Sequence, residues 1–133
     1  HRDKIVEQIN EHRRDILVLH DSTELDYSTH FALEGLGQIG NGHQRGYICH
    51  NSLAVDPKNR EVLGLLNQVL HHRPKVHKNE TQKQRRERES RESRLWCDGV
   101  TPIPSRRQFI DVCDQGADVL SSWHTSPTVG VVL

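Results

Sequence analysis

Two short apolar runs in this chain each lead into an aspartate, and this repeated pattern is where we expect chemistry. The first run starts at Ile16 and leads to Asp21; the second starts at Phe109 and leads to Asp114. An ionised carboxylate at the end of a buried strand is costly to desolvate without a partner. Two such carboxylates repel each other unless a divalent cation joins them. The pattern predicts a hard-cation site of Asp21 and Asp114, with carboxylate carbons within about 8 Å.

Two neighbouring strands are needed to bring these aspartates together. Four consecutive apolar residues from Ile16 are typical of a strand buried on both faces, so we predict a strand from Ile16 to His20 with Asp21 at its end. A later strand would carry Asp114. The alternative interpretation is that each aspartate caps a turn after its strand. Asp118 is more typical of an acid in the first turn of a helix than of a metal ligand.

The remaining elements follow from periodicity and turn residues. We predict a polar helix from Arg2 to Arg14 that packs Ile5, Val6 and Ile9 on the sheet, followed after the first strand by a long glycine-rich loop from Ser22 to Arg45. A strand from Gly46 to Val55, a turn from Asp56 to Arg60 and an antiparallel strand from Glu61 to His72 come next. The last predicted helix is solvated and runs from Thr81 to Trp96. The glycines of the loop match neither a dinucleotide-binding fingerprint nor a phosphate loop.

Four motifs occur in the order found in one enzyme family. They are His20-Asp21-Ser22-Thr23, Gly46-Tyr47-Ile48-Cys49-His50-Asn51-Ser52-Leu53, Glu92-Ser93-Arg94-Leu95-Trp96 and Val112-Cys113-Asp114-Gln115-Gly116-Ala117-Asp118. Together they resemble the catalytic domain of cut-and-paste insertion-sequence transposases, in the group that contains the transposon-five transposase. The resemblance covers roughly Ile16 to Val119, which is most of the chain.

This resemblance implies an α/β chain with a partial ribonuclease-H-like fold, a mixed sheet with flanking helices. It also implies a DDE triad, in which two Asp and one Glu hold two Mg²⁺ or Mn²⁺ ions about 3.5–4 Å apart for DNA strand cleavage and strand transfer. By motif, Asp21 and Asp114 are the first two acids. The Glu belongs to a Tyr-Arg-Glu-Lys signature that these residues lack, so we expect an inactive fragment. The expected partners are transposon-end and target DNA, with a homodimer of the full-length protein.

Two other functions stay open. One is a non-catalytic remnant of a transposase that binds DNA or another partner through a basic segment. The other is a stand-alone metal-dependent nuclease, which needs a third acid from within this chain; Glu24, Asp111 and Asp118 are the candidates. His50 and Ser52 match the family motif, but the sequence assigns neither a role. No pair among the ten histidines has zinc-finger spacing.

Charge is unevenly distributed although the formal net charge is zero. From Lys75 to Arg94, eight Lys and Arg stand against four Glu, a local charge of +4. Mixed charges at this spacing usually form a solvated helix face, so we expect this segment to be exposed. The candidates for contacts with DNA phosphates are Lys83, Arg85, Arg86 and Arg88.

Composition favours part of one domain. The hydrophobic fraction is 33%, the mean hydropathy is −0.75, and the chain opens on His1. We divide it into a transposase-like part, residues 1–119, and an atypical tail, residues 120–133, which truncation or a shifted reading frame would explain. Three dispersed cysteines are typical of reduced thiols. No apolar stretch is long enough for a membrane span. Together with the reduced thiols, the resemblance to DNA transposases implies a cytoplasmic, nucleoid-associated protein.

Overall fold

The computed structural model describes residues 2–75, 79–87, 92, 94–99, 108–113 and 129–132, with the backbone alone for Arg85, Arg86, Cys97 and residues 129–132. The elements are α1 (Arg2–Glu11), β1 (Ile16–Asp26), β2 (Gly37–Gln38), β3 (Arg45–Asp56), β4 (Glu61–His71), α2 (Gln82–Glu87), α3 (Arg94–Gly99), β5 (Phe109–Cys113) and β6 (Val129–Val132). None of these helices is long and apolar enough to cross a membrane.

The described strands form a single mixed sheet. Its order is β2-β3-β1-β5-β6, and β4 also pairs with β3. Strand β3 is antiparallel to both β1 and β4, whereas β5 is parallel to β1 and β6 is parallel to β5. The predicted α/β class with a mixed sheet is therefore confirmed. Of the tail, Val129–Val132 form a strand that extends this sheet.

Strand β1 is longer than predicted. It continues through Asp26 and pairs with β3 along its length, from Leu17 opposite Val55 to Asp26 opposite Gly46. The predicted end at Asp21 is therefore wrong, and so is the predicted loop from Ser22, which also contains β2. The second half of β1 is polar and mostly exposed. Backbone pairing with β3, and not burial of apolar side chains, keeps this half extended, so an apolar pattern could not reveal it.

Helix α1 supplies the largest apolar core. Its stripe of Ile5, Val6 and Ile9 is buried, as predicted. The stripe packs on apolar residues of three strands, Ile16, Val18, Ala54 and Leu66. Gly64 of β4 allows this close approach, because a Cβ there would lie 2.5 Å from Ile5 Cδ1 and its φ of +147° disfavours any other residue.

The β3–β4 hairpin matches the prediction. Asp56 closes the turn: its Oδ1 accepts a hydrogen bond from Lys58 N at 2.8 Å, and its carbonyl accepts one from Arg60 N at 3.0 Å. Two register shifts interrupt the ladder, between Ser52 and Leu53 and between Ala54 and Val55. The turn and the ladder together fix which residues of β3 and β4 share a face.

Side chains alternate between two unlike faces of the sheet. The covered face, which bears Ile16, Val18 and His20, packs against α1 and α3. The open face bears Leu17, Leu19 and Asp21 from the same strand. The apolar residues with the largest exposure in this sheet, Leu19, Val62 and Leu70, all belong to the open face by register. This difference decides what each polar side chain of β1 can contact.

Among its described residues, the range predicted as one helix, Thr81 to Trp96, contains α2 and the start of α3. Helix α2 begins with a capping box, in which Gln84 N donates to Thr81 Oγ1 at 3.2 Å and Thr81 N donates to Gln84 Oε1 at 2.9 Å. Glu92 lies in a turn before α3 begins, so the predicted continuous helix is wrong. Leu95 and Trp96 of α3 are buried. The described side chains from Lys75 to Arg94 are exposed apart from half-buried Glu80.

Leu66→Ala tests the core and Leu70→Ala is its control. Leu66 is 1% exposed and Leu70, on the same strand, is 61% exposed. We expect Leu66→Ala to lower the free energy of unfolding by about 2–5 kcal/mol, because it leaves a cavity under α1. Leu70→Ala should change it by less than about 0.5 kcal/mol. Urea titrations followed by circular dichroism measure both. Equal losses in the two variants would contradict the assignment of covered and open faces.

Candidate functional site

Asp21 lies in the middle of β1 and is exposed on the open face. Its Oδ2 lies 3.5 Å from the hydroxyl of Thr23, the next residue on that face. Asn51 of β3 is its partner in the ladder. An exposed carboxylate keeps its hydration, so the desolvation cost expected for a strand-end aspartate does not arise here. The side chain is accessible to a cation from solvent.

The two strands that precede the predicted acids are neighbours, as the sequence suggested. Strands β1 and β5 pair in parallel from Ile16 opposite Phe109 to Leu19 opposite Val112. The described part of β5 runs to Cys113. Asp114 and Asp118 lie outside the described residues, so the predicted separation of Asp21 from Asp114 stays a prediction.

A buried polar pair joins these two strands on the covered face. His20 Nε2 lies 3.0 Å from Asp111 Oδ1, and both residues are less than a tenth exposed. Asp111 is thus committed to His20, on the face opposite Asp21. Glu24 also points away from Asp21; its Oε1 accepts a hydrogen bond from Gly40 N at 2.8 Å. Neither Asp111 nor Glu24 can be the third ligand of a cation on Asp21, which corrects two of the three candidates.

Ser52 continues this network but is not a nucleophile. Its hydroxyl lies 3.1 Å from His20 Nδ1 and donates to the carbonyl oxygen of Gly99 at 3.0 Å. A Ser-His-Asp order invites comparison with a hydrolase triad, yet Ser52 is completely buried. Ser52 thus bridges His20 of β1 and the Gly99 carbonyl of α3. The cluster is a structural cross-link between β1, β3, β5 and α3.

His50 lies beside this cross-link without joining it. Its Nδ1 forms a 2.8 Å hydrogen bond with Ser22 Oγ, and its ring stacks on His20 with centroids 5.7 Å apart. The ring of Trp96 meets it edge-on at 4.7 Å. Among the described atoms, His50 Nε2 has no hydrogen-bond partner. A Cβ on Gly99 would lie 2.6 Å from that nitrogen, so only glycine lets α3 close over the ring.

The environment of His50 makes it a weak base. Burial and the neighbouring His20 lower the pKa of His50 from 6.5 to about 4, although Asp21 and Asp98 act in the opposite direction. His50 is therefore neutral at physiological pH. The sequence could have placed His20, His50 and Ser52 on one face by strand alternation, but only the β1–β3 register reveals that they meet.

The residues predicted to contact DNA are only partly described. Lys83 is exposed on α2, and its Nζ lies 3.9 Å from Glu87 Oε1, four residues along the helix. The backbones of Arg85 and Arg86 belong to α2, whereas Arg88 lies outside the described residues. An exposed pair of this kind contributes little to stability. Lys83 is therefore accessible to a phosphate.

Within the part of the chain that the structure describes, no three His, Cys, Asp or Glu side chains are grouped closely enough to hold a metal ion. Comparison of the chain with protein-family models and with curated proteins gives no significant match. Support for a function therefore comes from the sequence motifs and from the geometry of β1, β3 and β5.

Acidification tests the buried state of His50. Its pKa is about 4 in the folded protein and 6.5 when unperturbed, so the unfolded chain binds a proton first as the pH falls below 6.5. Stability should therefore decline between pH 6.5 and 4, by about 2 kcal/mol from pH 7 to pH 5. His50→Asn keeps a polar atom near Ser22 and should remove this part of the decline. Urea unfolding at each pH measures it.

The control is His43→Asn, since His43 is an exposed histidine between β2 and β3. This variant should retain the pH dependence of the unsubstituted protein. If His50→Asn and His43→Asn lose stability equally between pH 7 and pH 5, His50 is not the neutral, buried group that the structure indicates.

Proposed function

We propose that this chain is part of the catalytic domain of a DDE-type DNA transposase, in which Asp21 and Asp114 hold the divalent cations for phosphoryl transfer. The observation that carries the proposal is the parallel pairing of β1 with β5. The last paired residues are Leu19 of β1 and Val112 of β5. In the sequence, Asp21 follows Leu19 by two positions and Asp114 follows Val112 by two positions. Residues two apart on a strand share a face, so Asp21 lies with Leu19 on the open face, and the proposal requires Asp114 to lie there as well.

The strand arrangement supports a ribonuclease-H-like sheet. Such a sheet begins with one strand followed by an antiparallel pair, and β1, β3 and β4 follow that pattern. Strand β5 then adds in parallel to the free edge of β1. DNA as substrate, a homodimer of the longer protein and association with the nucleoid belong to the same proposal.

The described part of the site fits a hard cation. Asp21 offers an exposed carboxylate, and Mg²⁺ and Mn²⁺ prefer oxygen ligands. Together with Asp114, Asp21 would bind the metal, which neutralises charge on the transferring phosphate and activates the attacking oxygen. Pairing with Asn51 of β3 holds the backbone of Asp21, and β5 pairs with β1 up to Leu19, two residues before it. Such support favours the fixed geometry that in-line attack requires.

Metal titration tests the two acids directly. We expect weak Mn²⁺ binding, with Kd on the order of 10⁻³ M, because two carboxylates give less negative charge than three. Asp21→Ala or Asp114→Ala should abolish it. Asp15→Ala is the control, since Asp15 is an exposed carboxylate outside the sheet. Calorimetry measures the binding. Unchanged affinity in Asp21→Ala would refute the site.

The chain by itself should not cut DNA. No Tyr-Arg-Glu-Lys signature occurs in these 133 residues, so the third acid of the proposed triad is missing from them. In a nicking assay on supercoiled DNA with Mn²⁺, we expect no activity above that of an Asp21→Ala/Asp114→Ala double variant. Nicking that either single substitution removes would instead support the stand-alone nuclease, with Asp118 as the remaining candidate for the third acid.

A non-catalytic role in DNA binding is the second candidate, favoured by the exposed cation of α2. Replacing Lys83, Arg85, Arg86 and Arg88 by Gln should weaken duplex binding and flatten its salt dependence, by about 0.9 in log–log slope for each phosphate that is no longer neutralised. Arg13, Arg14, Lys58 and Arg60 are exposed elsewhere, and their replacement by Gln is the matched control. Equal effects of the two sets would mean that the segment has no special role.

A further inference from the structure

The loop that follows β1 holds one aromatic ring almost entirely in solvent. Phe31 is 94% exposed, the highest value among the large apolar residues with described exposure. Tyr27 and His30 lie in the same loop, with ring centroids 5.6 Å apart in an edge-on arrangement. Exposing a phenyl ring is unfavourable in water. A ring held out in this way is available to stack on a flat apolar partner.

Hydrogen bonds fix the conformation of this loop. Asp26 Oδ1 accepts from the Ser28 backbone N at 2.8 Å and from the Ser28 hydroxyl at 2.5 Å. The same hydroxyl accepts from Arg45 N at 2.8 Å, while Tyr27 N donates to the Arg45 carbonyl. His30 N then donates to the Tyr27 carbonyl at 2.9 Å. The loop that carries Phe31 is thus pre-organised, so little conformational entropy is lost when a ligand binds to it.

The groove beside Phe31 is lined by cations and by no carboxylate from the described residues. Its volume is about 780 Å³, and Arg45, Arg73 and Lys75 contribute to its wall. Arg73 is held by Glu92, with its Nε and Nη2 at 2.9 and 2.7 Å from the two carboxylate oxygens. Arg45 and Lys75 form no ion pair with any described residue. Two positive charges therefore remain for an anionic ligand.

We infer that this groove binds single-stranded DNA, with a base stacked on Phe31 and the flanking phosphates against Arg45 and Lys75. Aromatic rings beside unpaired cations form the usual platform for a nucleic-acid strand. An intact duplex keeps its base faces stacked inside, where a ring on a loop cannot reach them. The inference rests on the proposed function for its choice of DNA. It goes further by naming a surface, distinct from α2, and the form of the substrate.

The test is the binding of a fluorescein-labelled twelve-nucleotide oligo-dT strand, measured by anisotropy in EDTA so that no metal site contributes. Phe31→Ala should weaken binding about tenfold, as expected when one base no longer stacks on a ring. Phe31→Trp should restore it, and its tryptophan fluorescence should be quenched by the strand. Replacing Arg45 and Lys75 together by Gln should reduce the log–log salt slope by about 1.4, which corresponds to two phosphates on a single strand.

Matched controls separate stacking and phosphate binding from general effects. Leu70→Ala removes an exposed apolar side chain of β4, and replacing Lys58 and Arg60 by Gln removes two cations from the β3–β4 turn. Both controls should bind like the unsubstituted protein. A competing hairpin duplex of the same length should displace the strand weakly. No binding of oligo-dT, unchanged binding by Phe31→Ala, or equal competition by the duplex would overturn the inference.

The result of the strand-binding test can be distinguished from the result of the Mn²⁺ titration. The strand assay and the Mn²⁺ titration report on different sites, because no divalent cation is bound in EDTA. If Phe31→Ala binds normally while Asp21→Ala loses Mn²⁺, the groove inference fails and the transposase proposal stands. If the strand binds through Phe31 while Asp21→Ala leaves Mn²⁺ binding unchanged, the groove binds DNA and the metal site is refuted.

Discussion

The hydrogen bond between His20 and Asp111 is the interaction on which the centre of the sheet depends. It joins β1 to β5 across 91 residues of sequence, and both side chains are buried. Loss of either partner would leave the other buried and unsatisfied, which costs far more than the net value of one hydrogen bond. Ser52 extends the bond to β3 and, through the Gly99 carbonyl, to α3. One polar cluster therefore fixes four elements relative to each other.

Alternation along β1 separates this structural chemistry from the proposed metal chemistry. His20 faces the helices and binds Asp111, while the adjacent Asp21 faces the open side and stays hydrated. His20, which is buried, and Asp21, which is exposed to solvent, can therefore be adjacent in the chain. The strand that positions the proposed ligand is itself held by contacts on its other face. Rigidity at Asp21 is obtained without occupying its carboxylate.

The sequence predicted secondary structure correctly where buried side chains impose a regular spacing of apolar residues. The apolar stripe of α1 and the β3–β4 hairpin follow from apolar spacing and turn residues. The sequence also shows an apolar run at Phe109, but its pairing with β1 was only a condition for bringing the two aspartates together. The polar half of β1 was not predicted, because backbone hydrogen bonds to a neighbouring strand require no particular side chains. The hydrogen-bond partners of His20 and His50 were not predicted, because they depend on the register between strands, which the sequence of one strand does not reveal. For the same reason, apolar spacing alone does not show that Asp21 and Asp111 lie on opposite faces.

The order of synthesis has a consequence for a sheet built this way. Strand β1 leaves the ribosome about ninety residues before β5, a delay of roughly 5–20 s at common elongation rates. During that time β3 and β4 can pair on one side, but the backbone groups at the other edge of β1 stay unpaired. Such an edge pairs readily with other chains. In a nascent chain of this protein, this edge therefore stays open to such pairing until Asp111 emerges and reaches His20.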